Sequence, residues 1–155
     1  MYRNIIFDWS GTLVDDLPPV LEAMNRIFEE YGHPAMLLEE FRSTFYLPFD
    51  QFYLEKFPSI PLSAIEEKYH LYFDPIQDRV KLLPHAVEFL EFAKAAGFRI
   101  FLLSSIHHEH FRRQADRLNL RHYFEHPYVQ VLDKRKEIHA ILERHGFTRS
   151  WIGSK

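Results

Sequence analysis

The feature that most constrains this chain is a short apolar run near its start that ends in a carboxylate. Residues 5–7 are Ile, Ile and Phe, Asp8 follows at once, and Ser10, Gly11 and Thr12 come after one tryptophan. A β-branched and aromatic run without polar alternation is typical of a parallel strand that is buried on both faces. Open α/β sheets bind their ligands beyond the carboxyl ends of such strands. The run therefore predicts an α/β fold with Asp8 at a binding crevice.

The loop after Asp8 predicts what kind of ligand would bind there. Gly11 can adopt backbone conformations that other residues resist, which allows the loop to turn tightly. Main-chain amides of the loop and the hydroxyl of Thr12 would then face an anion. The predicted ligand is a phosphate group.

Helical and strand patterns follow one another along the rest of the chain. Prolines at positions 18 and 19 begin an amphipathic pattern over residues 20–31, and Gly32 ends it. The other predicted helices cover residues 38–45, 49–57, 62–73, 86–96, 107–118 and 134–145, and the other predicted strands cover residues 98–103 and 128–132.

The order of these elements predicts the fold class. One strand, a run of helices and then alternating helices and strands is typical of a parallel sheet with right-handed crossovers. We expect an α/β protein in which residues 1–16 and 81–155 form a Rossmann-like parallel sheet core. Residues 17–80 would form an all-helical cap that is inserted after the first strand. Because the insertion follows the Asp8 loop directly, we expect it to act as a lid.

The first loop resembles a known family motif. Five residues match the first motif of the haloacid dehalogenase-like hydrolase superfamily, Asp-x-Asp-Gly-Thr-(Leu/Val)-x-Asp: Asp8, Gly11, Thr12, Leu13 and Asp15. The chain is similar to the phosphatase and phosphonatase branch with a small helical cap. This resemblance implies phosphoryl transfer through an aspartyl phosphate on Asp8. It also implies Mg²⁺ as a cofactor, held by Asp8 and by the main-chain carbonyl of Ser10.

The resemblance extends to two later motifs. The second family motif is a hydroxyl residue at the end of the next core strand, and Ser104 matches it, with Ser105 beside it. The third is a lysine at the start of a downstream helix, and Lys134 matches it. The two serines would bind the phosphoryl group, and the lysine would neutralise both nucleophile and phosphate. His107 and Arg42 are further candidates for contacts with the substrate.

The residue two positions after Asp8 departs from the family pattern. In the family's phosphatases this residue is a carboxylate that acts as general acid and base, and here it is Ser10. A hydroxyl cannot replace it, so a contribution of about 10²- to 10⁴-fold is lost and slow hydrolysis is expected. Phosphonoacetaldehyde hydrolases resemble this loop with Asp-Trp-Ala-Gly-Thr and use a cap lysine that forms an imine. Residues 32–55 contain no lysine, which argues against that route.

The fourth family motif, an acidic pair that completes the Mg²⁺ site, has no match. Residues 151–155 are similar to the strand and glycine that precede the acids, but Ser154 stands where an acid is expected. Two interpretations remain open: a truncated form of an active phosphatase, or a degenerate relative. A last strand that is cut short would leave a hydrophobic sheet edge, and we expect this edge to favour a homo-oligomer.

Composition excludes several other classes of function. A formal charge of −3, with acids and bases interspersed, gives no basic stripe for nucleic acid. The chain has no cysteine, so disulfides, thiolate metal sites and cysteine nucleophiles are excluded. No apolar run approaches the roughly 18 residues that a membrane span needs. We therefore expect a cytoplasmic protein that binds neither nucleic acid nor membrane.

These observations predict a slow, Mg²⁺-dependent phosphatase that acts on a small phosphorylated metabolite. One alternative is a protein that binds a phospholigand, or serves as a scaffold, without catalysis. Another is a dehalogenase that uses the same aspartate on carbon, although the Gly11-Thr12 pair argues against it.

Overall fold

The computed structural model describes residues 4–46 and 49–147. These residues form two compact units. The first unit contains residues 4–14 and 82–147, and the second is Asp15–Lys81. The chain thus leaves the first unit soon after its first strand and returns to it after the 67 residues of the second.

Helices and short strands alternate along the first unit, whereas the second is built from helices. The strands are β1 (Asn4–Phe7), β2 (Val14–Asp15), β3 (Lys81–Leu82), β4 (Arg99–Leu103) and β5 (His126–Tyr128). The α-helices are α1 (Leu17–Glu30), α2 (Leu38–Thr44), α3 (Phe49–Lys56), α4 (Leu62–Phe73), α5 (Ala86–Ala95), α6 (His108–Arg117) and α7 (Lys134–Arg144). Short 3₁₀ helices cover Gln77–Arg79 and Arg121–Tyr123. Within the described ranges, no helix is long and apolar enough to cross a membrane.

The first unit is organised by a parallel sheet of order β1-β4-β5. Phe7 of β1 lies opposite Leu102 of β4, and Leu103 lies opposite Tyr128 of β5. The strands β2 and β3 form a separate two-stranded sheet. The predicted fold class, a Rossmann-like parallel sheet with an all-helical insertion after the first strand, is confirmed.

Apolar side chains explain why each unit folds as it does. In the first unit, Phe101, Leu103 and Tyr128 of the sheet pack with Ile141 of α7 in a buried cluster. In the second unit, the inner face of α1 packs against aromatic residues of α2 and α3, with Phe28, Phe41 and Phe52 almost fully buried. Each side chain of this size contributes roughly 1.5–3 kcal/mol when it leaves water.

The strand predicted at residues 128–132 is wrong in its position. The third strand of the parallel sheet is β5, which ends at Tyr128. Gln130 has a φ of +57°, in the left-handed region that extended strands do not use. The amide of Val131 donates to the carbonyl of Ser104 at 3.1 Å, across the turn. The alternation of Val129, Gln130 and Val131 therefore belongs to a loop that leads to α7.

One predicted element lies outside the described residues. The segment 151–155, whose sequence is similar to a final strand of the core, is not among them. The sheet edge that this segment would form, and the homo-oligomer predicted from it, therefore stay predictions.

In the second unit, Asp15–Lys81, which we call the helical unit, two hydrogen bonds join the Asn25 side chain to the main chain of Met36. The Asn25 side chain on α1 donates to the carbonyl of Met36 at 3.0 Å and accepts from its amide at 2.8 Å. We expect Asn25→Ala to lower the free energy of unfolding by about 1–3 kcal/mol, because the amide and the carbonyl of the buried Met36 both lose their partner. Urea unfolding followed by circular dichroism would measure the change.

The control for this prediction is Glu29→Ala, on an exposed position of the same helix, which should change stability by less than about 0.5 kcal/mol. Equal unfolding midpoints for Asn25→Ala and the unmodified protein would contradict the prediction.

Candidate active site

Asp8 is the first residue after β1, and each of its two carboxylate oxygens accepts a hydrogen bond. Oδ1 accepts the main-chain N–H of Trp9 at 2.8 Å. Oδ2 accepts a hydrogen bond from the Lys134 ammonium at 2.6 Å. The Asp8 side chain is 39% exposed and that of Lys134 is 29% exposed. The carboxylate is therefore fixed in direction and still open to a ligand from solvent.

Lys134 reaches Asp8 because α7 begins at a defined place. The Asp133 side chain caps this helix by accepting the main-chain N–H of Lys136 at 3.1 Å. Such caps satisfy one of the free amides of the first turn and fix where a helix begins. The first side chain of α7 then meets a residue 126 positions earlier in the chain. The sequence prediction had placed these two residues in one site, and the structure brings them together.

The loop after Asp8 is closed mainly by its own main chain. The carbonyl of Trp9 accepts amides from Thr12, Leu13 and Val14 at 3.3, 2.9 and 3.2 Å. The amide of Gly11 donates to the carbonyl of Val14 at 2.9 Å, and its φ of +69° explains the need for glycine there.

This closure corrects one expectation about anion binding. The amides of Gly11 and Thr12 donate within the loop, so they do not point outward as the sequence had predicted. The Thr12 side chain is exposed and stays a candidate donor. Ser10 is exposed as well and forms a β-bridge with Val14. The loop therefore offers side-chain hydroxyls to a ligand, while two of its amides hold its shape.

Ser104 lies at the carboxyl end of the strand next to β1. The register that pairs Phe7 with Leu102 puts Asp8 and Ser104 just beyond the ends of neighbouring strands. Ser104 is 2% exposed, and its hydroxyl oxygen accepts the amide of Ile106 at 3.3 Å. Its O–H remains a donor, because accepting a hydrogen bond does not use the hydroxyl proton. Ser105 is half-buried beside it.

His107 and Arg42 have local structural partners. His107 caps α6, and its Nδ1 accepts the amide of Glu109 at 3.4 Å. Arg42 belongs to the helical unit, where its guanidinium pairs with Glu39 at 2.9 Å. Both interactions account for these side chains without a substrate, and their predicted substrate contacts stay predictions.

The start of α6 carries a carboxylate that stays ionised. A hydrogen bond from Arg112, and to a lesser degree one from His108, holds the pKa of Glu109 below its ordinary value. Negative charge in the first turn of a helix also interacts favourably with the helix dipole. Glu109 therefore stabilises the beginning of α6 at neutral pH.

Sequence reasoning missed two residues that support the site. The Trp9 side chain is fully buried, and its indole N–H donates to Oε1 of the buried Gln114 at 2.9 Å. Its ring also meets the edge of Phe111, with centroids 5.0 Å apart. The sequence does indicate that Gln114 is buried. It shares the helical spacing of the apolar residues Phe111 and Ala115, so it lies on the apolar face of α6.

The oxygen donors of the site fit a small divalent cation. Mg²⁺ prefers carboxylate and carbonyl oxygens, and it usually keeps several waters beside one or two carboxylates and a substrate phosphate. The Asp8 carboxylate and the main-chain carbonyl of Ser10 are donors of this kind. Because Lys134 already contacts Oδ2, the cation would share the carboxylate with a positive charge. This competition favours weak binding.

Known proteins resemble this chain over most of its length. The sequence matches the family model described as haloacid dehalogenase-like hydrolase over residues 2–147. No curated protein sequence matches it.

Solved structures share the fold at low sequence identity. A protein from Clostridium acetobutylicum, described as "a predicted phosphatase", superposes with a TM-score of 0.81 at 18% identity and covers 94% of this chain and 71% of that chain. A haloacid dehalogenase-like family hydrolase from Streptococcus pneumoniae gives a TM-score of 0.76 at 22% identity, covering 94% and 70%. A protein from Haemophilus somnus, described as "a predicted phosphoglycolate phosphatase", gives 0.76 at 15% identity, covering 94% and 72%. At these identities the likeness establishes the fold.

The Lys134–Asp8 pair leads to a prediction about anion binding. We expect Lys134→Met to weaken the binding of inorganic phosphate at least about tenfold, which corresponds to about 1.4 kcal/mol, because the ammonium no longer offsets the Asp8 charge. Stability should change by no more than about 1 kcal/mol, since the ion pair is partly exposed. Isothermal titration calorimetry and urea unfolding would measure the two effects.

Lys136→Met is the matched control, because Lys136 is an exposed lysine in the same first turn of α7. Equal phosphate affinities for the two variants would contradict a role for Lys134 in anion binding.

Proposed function

The chain belongs to the haloacid dehalogenase-like hydrolase family, and from that premise we propose that it hydrolyses phosphate esters of small molecules through an aspartyl phosphate on Asp8. The observation that carries the proposal is the 2.6 Å contact between the Lys134 ammonium and Oδ2 of Asp8, just beyond the end of β1. A carboxylate nucleophile must approach a phosphate that is also negative. A lysine within hydrogen-bond distance of the nucleophile reduces this repulsion.

The proposed reaction has two steps. An oxygen of the Asp8 carboxylate attacks phosphorus, the bond to the ester oxygen breaks, and the leaving oxygen takes a proton from water. Water then attacks the phosphorus of the aspartyl phosphate, which releases inorganic phosphate and restores the Asp8 carboxylate. Splitting one difficult displacement into two easier ones is the general advantage of a covalent intermediate.

Side chains around Asp8 supply donors for the transferring group. The hydroxyl of the exposed Thr12 and the O–H of Ser104 are the proposed donors to the phosphoryl oxygens, with Ser105 next to Ser104 in the chain. Lys134 supplies positive charge to both nucleophile and phosphate. Donors fixed before the reaction stabilise developing charge without reorganisation, which is a main source of catalysis in such sites.

The proposed cofactor is Mg²⁺, held by the Asp8 carboxylate and the main-chain carbonyl of Ser10. When bound, it would supply additional positive charge to the transferring phosphoryl group. The proposed substrate is a small phosphorylated molecule. This assignment is supported by the similar fold of proteins described as a predicted phosphatase and a predicted phosphoglycolate phosphatase.

The proposal predicts that Asp8→Asn abolishes turnover. We expect Mg²⁺-dependent hydrolysis of p-nitrophenyl phosphate to fall at least about 10³-fold, because the amide is a poor nucleophile and the covalent step is lost. The rate of p-nitrophenol release would be measured against Asp50→Asn, a matched change of an aspartate on α3. Asp50→Asn should keep the rate of the unmodified protein. Equal rates in all three proteins would contradict the role of Asp8.

Ser10 explains why slow hydrolysis is expected, and this leads to a gain-of-function prediction. Ser10→Asp should raise turnover at least about tenfold, because a carboxylate two residues after the nucleophile restores general acid and base catalysis worth about 10²- to 10⁴-fold. Steady-state kinetics with the same aryl phosphate would measure the gain. Ser43→Asp, an exposed serine on α2, is the matched control and should give no gain. An unchanged rate in Ser10→Asp would contradict this explanation.

A second candidate function is binding of a phospholigand without turnover. Ser10 favours it, because the position where the family's phosphatases carry an acid and base has only a hydroxyl. Turnover by the unmodified protein and by Asp8→Asn, measured together with phosphate binding, distinguishes hydrolysis from binding alone. If the unmodified protein and Asp8→Asn are equally inert while phosphate binding still depends on Lys134, binding alone is the function.

A further inference from the structure

The largest buried side chain beside Asp8 is that of Trp9, and it is hydrogen-bonded to a distant helix. Trp9 is 0% exposed, and its indole Nε1 lies 2.9 Å from Oε1 of Gln114 on α6. Gln114 is itself 1% exposed and lies 105 residues further along the chain. An indole N–H can only donate, so this contact fixes the Gln114 amide with its oxygen towards Trp9.

The main chain of Trp9 controls both the nucleophile and its loop. Its amide donates to Oδ1 of Asp8 at 2.8 Å. Its carbonyl accepts three amides of the loop that follows. A shift of Trp9 would therefore turn the Asp8 carboxylate and loosen the loop at the same time.

Two aromatic rings contact the buried indole of Trp9. Phe111 and Phe124 both meet the indole at steep angles, with centroids 5.0 and 6.4 Å away and interplanar angles of 79° and 63°. Edge-to-face ring contacts restrict the orientation of a side chain only weakly. A hydrogen bond restricts it more, because the bond weakens steeply when it is misaligned. The bond to Gln114 is thus a directional constraint on the indole of Trp9.

We propose that Gln114 is a positioning residue for Asp8, which it acts on through the indole and main-chain amide of Trp9. This proposal rests on the proposed function, since it assigns a residue to the same reaction. It ties the nucleophile to α6, the helix that follows Ser104 and Ser105 in the chain. Gln114 would thereby hold the nucleophile loop in a fixed relation to the phosphate-binding serines.

The direct test is Gln114→Leu, which keeps a side chain of similar size and removes the acceptor. Misplacing a reacting group by about 1 Å can lower a rate about 10²-fold, so kcat with p-nitrophenyl phosphate should fall about 10- to 100-fold. KM should change less than about threefold, because Gln114 is not a proposed substrate contact. Gln77→Leu is the matched control, because Gln77 is also buried but lies in the helical unit, and its kcat should be unchanged.

A double-mutant cycle separates positioning from a general loss of stability. Trp9→Phe removes the indole donor and keeps an aromatic ring. Gln114→Leu should lower kcat in the unmodified background but not in the Trp9→Phe background, where no hydrogen bond remains to be lost. An equal additional loss in both backgrounds would overturn the proposal, because the effect of Gln114 would then not pass through the indole.

A spectroscopic readout keeps the test independent of turnover. The ¹³Cγ resonance of the Asp8 carboxylate, assigned by its loss in Asp8→Asn, should shift in Gln114→Leu and stay in place in Gln77→Leu. An unmodified protein without turnover would refute the proposed function, and the shift would still report whether Gln114 positions Asp8. An unshifted resonance, or an unchanged kcat in an active protein, would overturn the proposal about Gln114.

Discussion

The parallel pairing of β1 with β4 is the constraint from which the rest of the site follows. It sets the ends of two strands side by side, so Asp8 and Ser104 project beyond one edge of the sheet although nearly 100 residues separate them. Tyr128 continues the sheet on the far side, and its carbonyl accepts the amide of Ser104 at 2.9 Å. The loop that follows Tyr128 then leads into α7 and Lys134. The sheet therefore gathers groups from three separate parts of the chain.

The sheet alone does not orient these groups. Asp8 is aimed by two hydrogen bonds of different origin, one from the neighbouring amide of Trp9 and one from Lys134. The first depends on a side chain buried in the core, and the second on a helix start fixed by Asp133. A charged group that is held by fixed partners loses little entropy when a ligand arrives, which is how a preorganised site favours its reaction.

The sequence predicted the elements well where the pattern was long or where breakers were present. The ends of the helices were predicted to within three residues, since Gly32 and a series of prolines interrupt the apolar spacing. The prediction of a strand at residues 128–132 was wrong because Val129, Gln130 and Val131 alternate as residues of a strand do. Gln130 nevertheless adopts a positive φ, which the local sequence does not predict. Likewise, Gly11 indicated a tight loop, but its sequence context does not show that its amide donates to the carbonyl of Val14. Tertiary hydrogen bonds decide such details.

Ser10 and Gln114 illustrate two different ways in which a site can be limited. Ser10 lacks the chemistry for proton transfer, and no adjustment of its surroundings can make a hydroxyl act as a carboxylate at neutral pH. Gln114 takes no part in proton transfer, yet its buried hydrogen bond to Trp9 controls where the nucleophile points. The first limit lowers the rate of steps that need a proton, whereas loss of the second would slow attack itself. An acid at position 10 and the link from Gln114 to Asp8 therefore serve two different requirements of the same reaction.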